Sequence, residues 1–194
     1  SFGGLEALAW ELGPATGLPT VIAEAIVVAN DIRAQLYVDG PGTTIEAAKQ
    51  AVTLIGAQRR VSISDGPILK SEDGVVVARP SSTAFAAVQA MLDMNRSPAW
   101  AHTNVLLEGV VGVSLPVEYG TEASELNEAG VNTIINRGDG FRTWGPMTAA
   151  VGTIWEFVNV VRVTDMVHES LEDAFIAYIG RPMTKDNLDL MSMT

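Results

Sequence analysis

Along the first hundred residues, short apolar runs alternate with stretches in which apolar positions recur every three to four, the pattern of parallel strands joined by crossover helices. Residues 7–12 predict a first strand. After Gly13-Pro14 and Gly17, residues 19–31 open with a proline in the first helical turn and are apolar on nearly every side, which predicts a helix buried against a sheet. Residues 34–38 follow as a second strand. Thr43 and Glu46 have capping-box spacing, and Ile45, Ala48, Val52 and Ile55 then keep one helical face apolar until Gly56 ends the run. Val61 and Ile63 mark a third strand and residues 75–78 a further one. Past Pro80, the residues Phe85, Val88 and Leu92 predict an amphipathic helix to about Asn95.

The rhythm changes beyond residue 100. Residues 105–113 are apolar and punctuated by glycine, 122–129 predict a short helix, and 131–136 and 154–163 predict strands. Val167, Leu171, Ala174 and Tyr178 predict a last helix that stops at Gly180, with Pro182 just beyond. The expected fold class is α/β. Residues 1–100 form an open, doubly wound mixed sheet with flanking helices, and 101–194 an α+β lobe packed into the same core, so that 1–194 is a single domain.

Composition bears on partners more than on fold. With 47% apolar and 18% charged residues in 194, the chain can bury one sizeable core. Its net charge of -11 repels a phosphate backbone, which argues against nucleic acid as a partner. The mean hydropathy of +0.23 fits a surface partly covered by neighbours, and fits a thick α/β core equally well. The absence of cysteine excludes disulfides, thiolate zinc sites and thiol nucleophiles. No apolar run reaches the ~20 residues that span a bilayer. The opening Ser1-Phe2-Gly3-Gly4 has no signal-peptide pattern, and it reads, like the closing Met191-Ser192-Met193-Thr194, as a cut inside a longer protein.

Candidate chemistry is sparse. Asp39-Gly40-Pro41-Gly42-Thr43-Thr44 follows a strand and opens a helix, where amides could hold an anion, but it lacks a Walker lysine and Pro41 removes a donor. It reads as a strand-to-helix turn. Arg137, Gly138, Asp139, Gly140 and Arg142 read as a hairpin, since Asp-Gly between strand-like runs is a hairpin signal. Ser62, Ser64 and Asp65 end a strand where α/β enzymes place catalytic groups, yet no serine elbow is present and neither His102 nor His168 is spaced to serve them. The two histidines have no second imidazole at metal-ligand spacing. Glu169, Glu172 and Asp173 read as a solvated helix face, and Asn95-Arg96-Ser97 as a sequon without meaning in a chain lacking a secretion signal. No catalytic residue, metal site or cofactor is expected.

What stands out is a second half rich in glycine, asparagine and tryptophan: Leu126-Asn127-x-x-Gly130-Val131-Asn132-x-Ile134, then Gly140-x-Arg142-x-Trp144-Gly145-x-x-Thr148, then Trp155 and Phe157-Val158-Asn159-Val160-x-Arg162-x-x-Asp165. Such residues serve tight turns and buried hydrogen bonds, and little among them could shuttle a proton. These three motifs, in this order, resemble the tail sheath proteins of contractile phages and R-type pyocins. Weaker agreement reaches upstream to Ser97-Pro98-Ala99-Trp100 with Asn104, and to residues 33–41. The chain departs from the family pattern at Pro146-Met147, where Asn-Arg or Ala-Arg is frequent, and at Val161, which stands for the first of an arginine pair.

The resemblance implies a structural subunit without catalysis. It polymerises around a tail tube as six-fold rings in a helical lattice, linked by terminal arms outside this chain, and contracts to drive the tube through the host envelope. Implied partners are other sheath subunits, the tail tube protein and the baseplate, with no membrane insertion. The implied location is the virion tail of a phage or tailocin, assembled in the bacterial cytoplasm. Lacking arms, the chain alone is expected to be monomeric or weakly associated. Two other readings remain: a type VI secretion-like sheath subunit, and a small α/β nucleotide-binding enzyme, which the βαβ rhythm alone does not exclude.

Overall fold

The computed structural model describes residues 20–176, 178–180 and 182–192. The strand expected over residues 7–12 lies outside them. The described chain opens with helix α1 (Thr20–Asp31), strand β1 (Leu36–Asp39), helix α2 (Ile45–Ile55) and strand β2 (Val61–Ser64). A hairpin follows, β3 (Ile68–Glu72) and β4 (Val75–Arg79), then α3 (Ser81–Asn95) and β5 (Val110–Val113). The second half contributes α4 (Glu122–Glu128), β6 (Val131–Asn136), β7 (Phe141–Trp144), α5 (Val158–Ile176) and α6 (Lys185–Ser192).

Two sheets result. The larger has the order β1-β2-β6-β7, with β1, β2 and β6 parallel and β7 antiparallel to β6. The smaller is antiparallel, ordered β4-β3-β5. The α/β class holds, but the doubly wound sheet is built from both halves of the sequence, and residues 75–78 belong to the smaller sheet. That hairpin turns at Asp73-Gly74, both at positive φ, so β4 folds back on β3 rather than crossing over.

Alternation along the strands sorts the core into two faces. Leu36, Val38, Val61, Ile63 and Val131 pack with Ile22 and Ile26 of α1, Ala48, Ala51, Val52 and Ile55 of α2, and Leu126 of α4. Tyr37 and Ile134 point the other way, toward Phe85 of α3 and Ile68 of the smaller sheet.

Three local expectations need correction. Helix α1 is not buried all round: Ile22, Ile26 and Ala29 are covered, whereas Val21, Val27, Val28 and Ile32 are exposed. The cap of α2 is Thr44, in extended conformation with its Oγ1 accepting from the Ala47 amide at 3.1 Å, so Thr43 and Glu46 do not form the box. Residues 154–163 are not a strand. A turn runs to Phe157, and α5 then begins nine residues before the apolar periodicity at Val167 suggested a helix. Its β-branched start reads locally as strand, but Val158 and Val161 sit three apart on one buried helical face, and tertiary packing overrides propensity.

Candidate functional site

Parallel strands deliver polar residues to their carboxyl ends, the place where an α/β enzyme would carry its chemistry. Here Asp39, Ser64 and Asp65 arrive together and all three are buried. The Asp39 carboxylate accepts from the Ser81 hydroxyl, the Ser82 amide and the Ser82 hydroxyl, each at 2.7 Å, and from Ser64 Oγ at 3.1 Å. Residue 80 is proline and offers no capping side chain, so an aspartate from β1 caps α3 across the fold. The Asp65 carboxyl accepts from the Thr133 hydroxyl of β6. Burial pushes its pKa up to about 7, against the lowering pull of Thr133.

The amides of Gly40 and Gly42, in the loop between β1 and α2, are taken by the chain's own carbonyls. The Gly40 amide donates to the Ser64 carbonyl at 2.7 Å and the Gly42 amide to the Asp65 carbonyl at 3.0 Å. The expected turn is what forms.

His102 is fully buried and His168 is exposed. The imidazole of His102 stands edge-on to Phe85 and Tyr37, and its Nδ1 lies 3.0 Å from Gln89 Oε1, an acceptor, so Nδ1 carries the proton. Burial holds its pKa down to about 4, despite Asn132 and the Gly145 backbone nearby. Among the described residues, no group of three or more histidine and acidic side chains is placed to hold a metal ion, and no helix is long and apolar enough to cross a membrane.

The three sequence motifs meet in one joint behind β2 and β6. Asn132 donates from Nδ2 to Ser62 Oγ, to the Ile63 carbonyl and to the Met147 carbonyl at 2.9, 2.9 and 3.0 Å, while its Oδ1 accepts from the Met147 amide at 2.7 Å. Every polar capacity of that buried amide is used, and it clamps strand β2 to the loop after β7. Asn127 bonds the Val131 carbonyl at 3.1 Å and lies flat on Gly145, whose φ of +98° and contact with the amide at under 3 Å from any Cβ leave room only for glycine. At Gly130, φ +85°, a Cβ would lie 2.5 Å from Val151 Cγ2 and 3.1 Å from the Thr148 carbonyl oxygen. Thr148 in turn donates to the Trp155 carbonyl at 2.7 Å and accepts from the Ala150 amide at 3.1 Å. Met147 bridges Phe157.

Helix α5 is anchored from this joint by two ion pairs. Arg60, 3% exposed, grips Asp165 with both guanidinium nitrogens at 2.5 and 2.7 Å. Arg162 pairs with Asp93 of α3. Asn159 reaches the Ala99 carbonyl at 3.4 Å. The sites of departure from the family pattern, Met147 and Val161, are both buried and apolar.

A separate group surrounds the β6–β7 hairpin. Arg142 pairs with Asp139 at 2.7 Å and donates to the Asn104 carbonyl at 3.1 Å, with Asn104 itself at φ +58°. Trp144 meets Tyr119 edge-on at 5.1 Å, and Arg137 lies 4.2 Å over the Tyr119 ring. Gly140 closes the turn against Leu106. Asn104, Arg142 and Trp144 thus line one open cleft and are not part of the buried joint. The acidic face of α5 is exposed as expected, with Glu172 paired to Arg33.

Sequence reasoning missed Arg60, which adjoins Arg59 and looks like a surface pair, and it missed Asp39 as a cap, because the helix it serves begins 42 residues later. Only the proline before Ser81 hinted that α3 lacks a local cap.

Residues 19–149 match the family described as phage tail sheath protein central domain. Among curated proteins, the chain is 32% identical to a prophage major tail sheath protein of Pseudomonas aeruginosa strain UCBPP-PA14, over 81% of this chain and 42% of that one. It is 34% identical to the tail sheath protein of Escherichia phage P2, over 56% of this chain and 30% of the relative. The fold is similar to that of the PVC sheath complex of an extracellular contractile injection system in its contracted state, with a TM-score of 0.65, 25% identity, and coverage of 79% and 44% of the two chains. The chain spans less than half the length of these relatives.

Proposed function

Because the chain belongs to the phage tail sheath family, with most of its length in the central domain, we propose that it is the core of a sheath subunit that polymerises around a tail tube and contracts to drive it into a cell. The observation that carries this reading is the joint itself. The motif residues Asn127, Gly130, Asn132, Gly145 and Thr148 spend their polar groups and their close contacts on one another and on adjacent backbone. Their role is to stiffen a block that neighbours can pull on, and Arg162 and Asp165 extend that stiffness into α5. Leu126 completes the core beneath them, and Trp155 packs beneath the Arg59 guanidinium.

The exposed Asn104 and the half-buried Arg142 and Trp144, which line the open cleft, have a different place in this reading, with half-buried Gly140 at the neighbouring turn, as a rim from which a neighbouring subunit is contacted. The proposed partners are other sheath subunits in a six-fold helical tube, the tail tube protein and the baseplate, in a phage or tailocin tail assembled in the bacterial cytoplasm. The polypeptide acts as a single domain without catalysis of its own.

Immunogold electron microscopy of tails from a cell producing the protein tests this. Antibody against the chain should decorate the outer layer of contractile tails along their length, and label confined to the cytosol would refute the role. Micromolar calorimetric binding of ATP, GTP or NAD would favour an α/β nucleotide-binding enzyme instead.

A further inference from the structure

The open cleft beside the β6–β7 hairpin has a volume of about 480 Å³ and is lined by Asn104, Tyr119, Arg137, Asp139, Arg142 and Trp144. Two guanidinium groups face one carboxylate there, so this lining is locally positive on a chain whose formal charge is -11. Arg142 is held in place by Asp139 and by the Asn104 carbonyl. Arg137 is exposed and lies 4.2 Å over the Tyr119 ring, a contact that positions the cation without neutralising its charge. Such a site takes an anion, and the Tyr119 and Trp144 rings add apolar contact beside it.

A complementary surface exists on the same molecule. Helix α5 leaves the body of the protein after Asp165, and between Met166 and Ile176 every residue except Ala174 is exposed. At ~100° per residue, Met166, Glu169, Asp173 and Ile176 fall within an arc of about 80°. Their order along the helix is apolar, acidic, acidic, apolar. Met166 and Ile176 are 45% and 66% exposed. The third acid of this segment, Glu172, is engaged by Arg33 of its own chain. Glu169 and Asp173, four apart, set two carboxylates one above the other. That stripe matches two guanidinium groups accompanied by two aromatic rings.

The two surfaces differ, and no described residue of α5 lines the cleft of its own chain. A contact between them is therefore heterologous: each copy offers its helix to one neighbour and its cleft to another, and the series runs on instead of closing as a two-fold dimer. This is the connectivity that a ring or helical tube needs. Pairing one acidic stripe with another, or one cleft with another, brings like charges together and is disfavoured.

Resting on the reading of this rim as a contact between subunits, we propose that the cleft of Tyr119, Arg137, Arg142 and Trp144 receives the exposed stripe of α5 from a second copy of this chain, with Glu169 and Asp173 as its anionic partners.

Intermolecular paramagnetic broadening tests the pairing. Because the chain has no cysteine, His168→Cys, on exposed α5 but outside the stripe, can carry a nitroxide. Such chains are mixed at millimolar concentration with isotope-labelled chains that carry none. Broadening of the Arg137, Gly138 and Arg142 amide signals is expected. Arg137→Gln in the isotope-labelled chain, or Glu169→Gln with Asp173→Asn in the nitroxide chain, should reduce it about fivefold, and Arg137→Lys should retain most of it. Unchanged broadening in the neutral variants overturns the ionic pairing. Absence of broadening while those amide signals shift with protein concentration overturns the assignment to α5 and leaves the rim as a subunit contact. Absence of any concentration-dependent shift there overturns both.

Discussion

At the scale of single residues, this protein keeps two titratable groups where their charge is disfavoured, with opposite consequences for pH. Asp65 holds its proton to about pH 7 when folded, whereas an unfolded aspartate loses it near 4. The native state therefore binds more protons between these values, and the stability it gains from Asp65 is complete below about pH 4 and is lost as pH rises to about 7. His102 runs the other way: its folded pKa of about 4 lies below the ordinary imidazole value, so its contribution is present above about pH 6.5 and is lost as pH falls to about 4. The two slopes oppose each other across one window. His102→Gln should thus be more stable at pH 4 than at pH 7, by on the order of a few kcal/mol, and Asp65→Asn should gain stability from pH 4 to 6.5. Urea midpoints over that range check this, and equal slopes in both variants would contradict it. Asn132→Ala strips partners from Ser62 and from both Met147 backbone groups, and an unfolding free energy lower by about 3 kcal/mol is expected in the same measurement.

At the scale of elements, helices here are held by residues distant in sequence. Asp39→Ala should leave the first turn of α3 uncapped and lower stability by about 2–4 kcal/mol, with amide exchange in α3 accelerating before that in β2. Asp39→Asn, which keeps one carbonyl acceptor, should lose less. Helix α5 depends on the buried Arg60–Asp165 pair. Asp165→Asn strands a guanidinium that is almost wholly enclosed and should cost about 3–5 kcal/mol, whereas replacing both residues by leucine should recover most of the loss. A thermal melt of the three proteins distinguishes the pair from simple packing. The beginning of α5 also shows the limit of local reading. Val158, Val160, Val161 and Val163 carry strand propensity, and nothing within that segment announces that Asp93 and Arg60 wait to receive its arginine and aspartate.

At the scale of the whole molecule, strands from both halves share one sheet, since β2 from the first hundred residues pairs with β6 from the second. Unfolding followed by far-ultraviolet circular dichroism and by tryptophan fluorescence should give one coincident transition, and two separated ones would divide the chain into independent lobes. The same arrangement explains why the family motifs and their service in turns and buried hydrogen bonds could be read in the sequence while their partners could not. Asn127, Asn132, Gly145 and Thr148 stand out by composition, but that they touch is a property of the β6–β7 hairpin and the loop behind it.

The order of amino acids by itself determined the local elements α2, α3, α4, β2 and β6, because the recurrence of their apolar positions and the turn residues that bound them distinguish helix from strand. It also determined the motif set by which the family is recognised. Only the tertiary structure decided that β3 and β4 leave the main sheet, that 158–163 is helix, that Arg60 is interior and that Asp39 caps a helix 42 residues away. Those outcomes turn on desolvation and hydrogen bonding between groups remote in sequence, whose energies exist only once the chain has brought them together.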